Sequence, residues 1–485
     1  MSRTLRFTRW LGCFGLAALC FVACRPAPSV SADPWARCWL PGLDEPARCR
    51  TVRVPAGPAA PDREVELFVA MLDAGSPDPQ RAPLFFLAGG PGQAASRVAA
   101  AVLPSLRKVR RQRALVFVDQ RGTGHSAPLD CRLTEPGRDA LLDVFADTLA
   151  PDAVRRCRSG VTWPLSAYGT AQASDDLDAV RRALGLSRVA LYGISYGTRL
   201  GLVHLARHGG TVEAAIFDGV LPAEVPLFDS FDVDGQAALQ TLARDCLAEA
   251  PCARAYGDVS VAVGRLLDGL SEPRTVVARH PRTGQRVSLR VTRAGVALAL
   301  RALLYDADVA ATLPMAVSRA VADDFGPLWT ATALLVDGAD RTTDAGLMLA
   351  VTCAEDVPRL SNGLRVGFVG DAMVAQIRAA CAVFEAPAAA PLPAAASLAD
   401  APPVLLLSGA LDPVTPPRHA ERLAQRHGWL HRVLPGVGHG AGRHGCGPSV
   451  MAEFLAEPRS ARPDLDCGRP TRRPPFVLPD AGGTP

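Results

Sequence analysis

The chain reads as an α/β protein, with a mostly parallel central sheet flanked by helices and a mainly helical cap inserted into it. Three observations carry this reading. Short apolar, β-branched runs alternate with stretches of helical period, the pattern of strands connected by crossover helices. Residues 83–88 (PLFFLA) and 113–118 (RALVFV) are continuously apolar, as strands buried on both faces must be. The alternation stops at about residue 222, gives way to helical stretches up to about 345, and resumes at 402–408 (PPVLLLS) and 429–434 (WLHRVL).

The elements follow in order. Residues 65–72 (VELFVAML) alternate as a strand does, and the two apolar strands come next. Residues 172–186 keep a helical period, with Leu177, Val180 and Leu184 on one face and Gly185 at the stop. A strand at 188–192 (RVALY), a helix at 198–207 and a strand ending in Ile216, Phe217 and Asp218 complete the first half. Inside the cap, 275–280 and 286–292 flank a Pro-Arg-Thr-Gly turn and predict a hairpin. The domain plan is therefore a targeting segment at 1–24, a linker and N-terminal extension at 25–48, a first core segment at 49–221 and a cap at 222–345. A second core segment follows at 346–467, then an exposed Pro/Arg-rich tail at 468–485. No internal repeat is present.

The 485 residues are 48% hydrophobic and 21% charged, ample for a sizeable core. The net charge of +4 is scattered and carried almost wholly by arginine, so no nucleic-acid footprint stands out. The one basic cluster, 107–113 (RKVRRQR), reads as a solvated helix end. Arg3, Arg6 and Arg9 precede an apolar stretch at 10–23 that is too short for a comfortable membrane span and has the layout of a signal peptide. Its end, Phe21-Val22-Ala23-Cys24, resembles a bacterial lipoprotein box in which Cys24 would be lipidated and anchor the protein to a membrane. Phe21 stands where that box usually has leucine, which leaves ordinary signal-peptidase cleavage nearby as the alternative. Export is expected either way. Ten of the 13 cysteines lie beyond this segment, an even number that suggests disulfides in an oxidising compartment. Pairing neighbours in order (38–49, 131–157, 246–252, 353–381, 446–467) is the simplest arrangement, with buried free thiols as the alternative. No Cys/His spacing argues for zinc, and no metal or cofactor is expected.

Candidate chemistry centres on Gly193-Ile194-Ser195-Tyr196-Gly197, between a predicted strand and a predicted helix. A serine on so sharp a turn is forced out of the sheet with its hydroxyl exposed. It needs a base in reach and an acid to orient that base. In sheets of this kind the chain order is Ser, acid, His, each partner just past a late strand. Asp412 follows the strand at 402–408 and heads a Pro-rich loop; His439 follows the strand at 429–434 between glycines. Asp218, past the preceding strand, is the alternative acid. The developing oxyanion needs backbone N–H donors, for which Tyr196 and Gly90 are the candidates. Gly90 lies in the loop Ala88-Gly89-Gly90-Pro91-Gly92-Gln93 after an early strand.

Taken together these segments resemble the proline iminopeptidase and tripeptidyl aminopeptidase group of α/β-hydrolases. Gly89-Gly90-Pro91-Gly92 is similar to the group's H-G-G-P-G loop, although Ala88 stands where the histidine usually does. Residues 119–126 (DQRGTGHS) match its D-Q-R-G-x-G-x-S segment. The Ser195 elbow, Phe217-Asp218-Gly219-Val220, Cys353-Ala354-Glu355-Asp356 and the region 402–446 are similar to the tripeptidyl aminopeptidase-like branch. The resemblance implies an α/β-hydrolase fold and removal of N-terminal residues from short peptides. It points to Glu355, with Asp356 as neighbour, as the acid that holds the substrate's α-ammonium. For residues 119–126 the physical reading is structural: Arg121 pairs with Asp119 or a neighbouring carboxylate and the segment holds the oxyanion loop. No obligate protein partner is implied. A carboxylesterase using the same three residues is the rival enzyme. A binding protein on the same scaffold is the non-enzymatic rival, against which the complete and correctly ordered Ser, Asp and His argue. An aspartate-nucleophile reaction is disfavoured because serine occupies the elbow.

Overall fold

In the computed structural model of the protein, residues 35–460 and 472–479 are described, apart from 59, 130, 147–148, 394–397 and 399. The expected signal segment, its Cys24 and most of the linker lie outside the described residues. Eleven strands are named here in chain order: β1 (Ala36–Cys38), β2 (Ala47–Pro55), β3 (Glu64–Leu72), β4 (Leu84–Leu87), β5 (Leu115–Val118), β6 (Val189–Ile194), β7 (Val212–Asp218), β8 (Arg274–Arg279), β9 (Arg286–Val291), β10 (Val404–Gly409) and β11 (Leu430–Leu434). Nine make one sheet in the order β1-β2-β3-β5-β4-β6-β7-β10-β11. The pairs β1/β2, β2/β3 and β3/β5 are antiparallel; every pair from β5/β4 to β10/β11 is parallel.

The parallel strands β4, β5 and β10 are buried at every residue, because helices cover both faces. On one face, α1 (Ala95–Arg110) and the helix Gly447–Ala456 pack on Leu84, Phe86, Phe117 and Ile216. Helices α2 (Pro151–Gly160), α3 (Thr170–Ala183) and α4 (Tyr196–His208) follow along the chain. Phe217 points away from Ile216 and meets α4 so closely that Gly201 has no room for a side chain, which sets α4 on the other face. Helix α3 stops as expected, with Gly185 at φ +68° just beyond its last turn.

Two edge strands were not anticipated as such. β1 and the start of β2 fall in the expected N-terminal extension, and Arg48, Arg50 and Arg53 interrupt the apolar pattern of β2. The strands form because β2 buries Ala47 and Cys49 on one face and Val52 and Val54 on the other, and because the Cys38–Cys49 disulfide ties the two strands together. The basic run at 107–113 is also only partly solvated. Arg113 is 3% exposed and spans Glu213 (2.6 Å) and the carbonyls of Ala82 and Leu455 (2.7 Å each).

Helices from α5 (Phe231–Ala248) to Gly326–Thr342, with the β8/β9 hairpin, share a separate apolar core around Leu242, Leu300, Leu328 and Trp329. This core reaches outside the expected 222–345 range. Leu141 and Phe145 enter it from before α2, and the Trp329 indole N–H donates to the Leu141 carbonyl at 2.9 Å. The C-terminal segment is mostly exposed over 472–479, but it is fastened to the cap and does not hang free. Phe476 is buried in the cap core, Arg473 pairs with Asp245 at 2.7 Å, and the Tyr256 hydroxyl donates to the Val477 carbonyl at 2.8 Å. The pairs 38–49, 131–157, 246–252 and 353–381 are disulfides. Cys446 is also disulfide-bonded, and its expected partner Cys467 lies outside the described residues.

Candidate active site

Ser195 sits where β6 turns into α4, with φ +57° and ψ −124°. A side chain that is not glycine tolerates this region only when its surroundings over-determine it. Here they do. The Ser195 N–H donates to the Asp218 carbonyl (2.9 Å), and the Ser195 carbonyl accepts from Thr198 N–H (2.8 Å) and Thr198 Oγ1 (2.6 Å). Any Cβ at Gly197 would run into the Leu87 carbonyl, so the turn can close on β4 only with glycine there.

The turn places the Tyr196 N–H at the first position of α4. The loop after β4 comes up beside it: a Cβ at Gly89 would lie 3.3 Å from the Ser195 Cβ, and Gly90 follows with φ +107°. The segment at 119–126 secures this loop. Asp119 accepts from Ser96 N–H and Ser96 Oγ (2.8 Å each) and from the His125 N–H (3.0 Å), which pins the start of α1 directly behind the loop. Arg121 pairs with Asp176 rather than Asp119, at 2.7 and 2.5 Å, and donates also to the Ala56 carbonyl. From the far end of the cap, Asp344 accepts from Gly124 N–H (2.8 Å) and donates its own N–H to the Gly92 carbonyl (2.8 Å).

Asp412 and His439 come together past the ends of β10 and β11. His439 Nδ1 lies 2.8 Å from Asp412 Oδ2. Asp412 Oδ1 accepts from Val414 N–H (2.8 Å) and Thr415 N–H (3.0 Å), and Oδ2 from Thr415 Oγ1 (2.8 Å). Burial works against a charged carboxyl here, but the His439 charge and these hydrogen bonds outweigh it and hold Asp412 down at about 2. The His439 imidazole is likewise desolvated, yet Asp412 pulls its pKa upward. The His439 backbone N–H donates to the carbonyl of Tyr305, a cap residue whose ring meets the imidazole edge-on at 5.5 Å.

Thr415 is a site residue that sequence reasoning passed over. Its hydroxyl touches both Asp412 and His439 Nδ1 (3.1 Å). The signal available was its position three residues after the acid, where a side chain in an Asx-type turn folds back on the carboxylate. Asp218, the alternative acid, makes other contacts. Its Oδ2 accepts from Gly442 N–H (2.8 Å) and the Tyr192 hydroxyl (3.2 Å), while Oδ1 has no hydrogen-bond partner. Burial pushes its pKa up to about 6.

Glu355 and Asp356 lie in a wide helical turn, Thr352–Asp356, which the Cys353–Cys381 disulfide fastens to the helix Ala372–Phe384. Glu355 accepts from Thr170 N–H (2.6 Å) and Thr170 Oγ1 (2.7 Å), and that hydroxyl is 2.8 Å from the Tyr196 hydroxyl. The acid is thus two hydrogen bonds from the residue following Ser195. Burial raises its pKa against those donors. Asp356 faces different partners: the Arg199 guanidinium (2.9 Å) and the Leu227 N–H (2.8 Å), with neither charged side chain exposed. The pair of acids is therefore split, and only Glu355 is linked by hydrogen bonds to the elbow.

The family described as alpha/beta hydrolase fold matches residues 82–286, and the family described as TAP-like protein matches residues 367–467. With the sheet order and the elbow, these matches show the α/β-hydrolase fold, and the C-terminal segment is similar to the TAP-like family. Among curated relatives, the chain is 30% identical over 217 residues to a tripeptidyl aminopeptidase of Streptomyces lividans, covering 41% of this chain and 40% of the relative. It is 29% identical over 246 residues to the serine protease Hip1 of Mycobacterium tuberculosis, covering 46% and 45%. It is 30% identical over 197 residues to a probable proline iminopeptidase of Streptomyces coelicolor, covering 39% and 49%. The matched region spans less than half the length of each of these relatives.

Proposed function

We propose that the protein is an exported serine aminopeptidase that cleaves N-terminal residues or short peptides from peptide substrates. The observation that carries this is the 2.8 Å contact between His439 Nδ1 and Asp412 Oδ2, on the loops that follow two strands of the same sheet edge as the Ser195 elbow. In this reading Ser195 Oγ attacks the scissile carbonyl and passes its proton to His439. Asp412 fixes the imidazole tautomer and stabilises the imidazolium. The Gly90 and Tyr196 N–H groups stabilise the oxyanion. His439 then gives the proton to the leaving amine, and water releases the acyl group by the same steps in reverse. Glu355 holds the substrate's α-ammonium, with its two oxygens oriented by the N–H and hydroxyl of Thr170. The names of the relatives support a peptide substrate. Export, with Cys24 as a lipid anchor to a membrane surface, is proposed from the sequence of residues 1–24, and the disulfides support it. Among the described residues no helix is long and apolar enough to cross a membrane.

The test is a matched panel: Pro-, Ala- and Ala-Ala-Pro-type amides with free N-termini, their N-acylated forms, and a short-chain ester, with Ser195→Ala as control. Cleavage of amides that needs the free amine is expected. Turnover of the ester alone, indifferent to the amine, would leave a carboxylesterase in place of the peptidase.

A further inference from the structure

Arg301 is the most unusual charge in the cap. It lies on the helix Arg293–Leu303 and is 2% exposed. Its guanidinium stacks on Phe231 (3.4 Å to the ring centroid) and lies near the Tyr305 ring (5.2 Å). Nη1 donates weakly to the Tyr305 hydroxyl at 3.4 Å. Nε and Nη2 have no hydrogen-bond partner, and no carboxylate pairs with the residue among the described residues. Stacking compensates part of the desolvation, but a buried cation still requires an anion or acceptors for its remaining N–H groups.

The two unmet nitrogens form one edge of the planar fork, the edge that grips a carboxylate in two parallel hydrogen bonds. Elsewhere in this protein the same edge is used in that way. Arg121 spends Nε and Nη2 on the two oxygens of Asp176, and Arg138 spends them on Asp143. In Arg301 that edge is buried and makes no hydrogen bond with any protein group among the described residues. Its surroundings lead to the catalytic loops. Tyr305 accepts the His439 N–H through its carbonyl, and Phe231 and Tyr305 belong to one apolar cluster with Leu221 and Val414, which flank Gly219 and Asp412.

We propose that Arg301 binds a carboxylate of the peptide substrate on the leaving-group side of His439. This rests on the peptidase reading above and deepens it: Glu355 takes the ammonium at one end of a short peptide, and Arg301 takes a carboxylate beyond the scissile bond. The carboxylate is either the peptide's C-terminus or an acidic side chain in the leaving segment.

Two peptide pairs with free N-termini distinguish these sources on the full-length enzyme. One pair differs as C-terminal acid against C-terminal amide, the other as Glu against Gln in the first residue after the scissile bond. The carboxylate member of one pair is expected to show kcat/KM higher by about tenfold. Arg301→Gln is expected to bring that ratio to about one, and Arg301→Lys, which keeps the charge but lacks the fork, to an intermediate value. Wild-type ratios within about twofold in both pairs, or a preference that Arg301→Gln leaves unchanged, overturn the proposal. The wild-type ratios decide even where the variant does not fold. Peptide cleavage without charge preference overturns this inference alone. Failure to cleave any peptide while a fluorophosphonate labels Ser195 overturns the peptidase reading and this inference with it.

Discussion

Two aspartates stand at the ends of neighbouring strands, Asp218 on β7 and Asp412 past β10, and the sequence offers either as the acid partner of His439. Both are buried, and their strands are parallel partners with Leu407 opposite Asp218. Their electrostatics are opposite. Asp412 collects two backbone N–H donors, a hydroxyl and the imidazole, and is held at about 2 although burial opposes it. Asp218 has one backbone N–H and a phenol on a single oxygen, and burial raises it to about 6. Depth is the same in both places; the number and charge of the donors decides how firmly each carboxyl is held in its ionised form. An acid that must stabilise an imidazolium has to be firmly ionised and in contact with it, so the low pKa of Asp412 and its 2.8 Å contact with His439 favour Asp412 for that role. Asp218 instead joins the elbow to the histidine loop, accepting from Ser195 N–H through its carbonyl and from Gly442 N–H through its side chain.

The sharpest way to break this assignment is to neutralise each acid without changing its shape. Asp412→Asn is expected to lower kcat by about 10⁴-fold, because the amide presents the wrong hydrogen-bond pattern to His439 Nδ1. Asp218→Asn keeps an acceptor for Gly442 and is expected to stay within about tenfold of wild type. Steady-state rates of both variants on one free-amine substrate check this, and equal losses would remove the distinction between the two acids.

Glu355 extends the comparison to a third buried acid. Its donors are neutral, as for Asp218, yet both of its oxygens are engaged. Glu355→Gln is expected to reduce kcat/KM on free-amine peptides by roughly 10²-fold relative to their N-acylated counterparts. A fall of the same size on both kinds of substrate would make Glu355 a support for Thr170 and Tyr196, with no part in ammonium binding.

The parts of this arrangement that were legible in sequence share a physical cause. The runs that became β4, β5, β6 and β10 are apolar on both faces, and the glycines around Ser195 mark a turn that admits nothing larger, so both left strong local signals. What stayed hidden depends on contacts between distant segments. Arg113 looks like one more surface arginine until Glu213 and Leu455 close around it. Phe476 looks like part of a Pro-rich tail until the cap core receives it. Adjacent in sequence, Glu355 and Asp356 separate only because Thr170 lies on one side of their turn and Arg199 on the other. Thr415 carries no local mark beyond its spacing from Asp412.

Stability against pH sharpens the contrast between the two aspartates. Asp218 is raised from 3.8 to about 6, so its charged form costs the folded state nothing below pH 3.8 and the penalty grows as pH rises through 6. From pH 4 to pH 8, Asp218→Asn is therefore expected to gain about 2 kcal/mol of stability relative to wild type. Asp412 behaves in the reverse sense. Its depressed pKa contributes about 2 kcal/mol above pH 3.8, lost as pH falls toward 2. Denaturant unfolding of wild type and the Asp218→Asn variant at both pH values measures the first of these, and a difference that does not change with pH would contradict the burial argument.

The smallest effect concerns the hydroxyl that divides itself between acid and base. Thr415 Oγ1 donates to Asp412 Oδ2 and lies 3.1 Å from His439 Nδ1, while the Thr415 N–H independently holds Oδ1. Removing only the hydroxyl leaves the backbone donors in place, so Asp412 stays ionised and loses just one constraint on its orientation. Thr415→Val is expected to lower kcat by about tenfold with little change in KM, and Thr415→Ser to restore most of the loss. A structural role in packing the loop would show the opposite pattern. The β-branched valine would then retain activity and the smaller serine would not. The kcat and KM of the two variants, measured side by side, separate a positioning hydroxyl from a packing methyl.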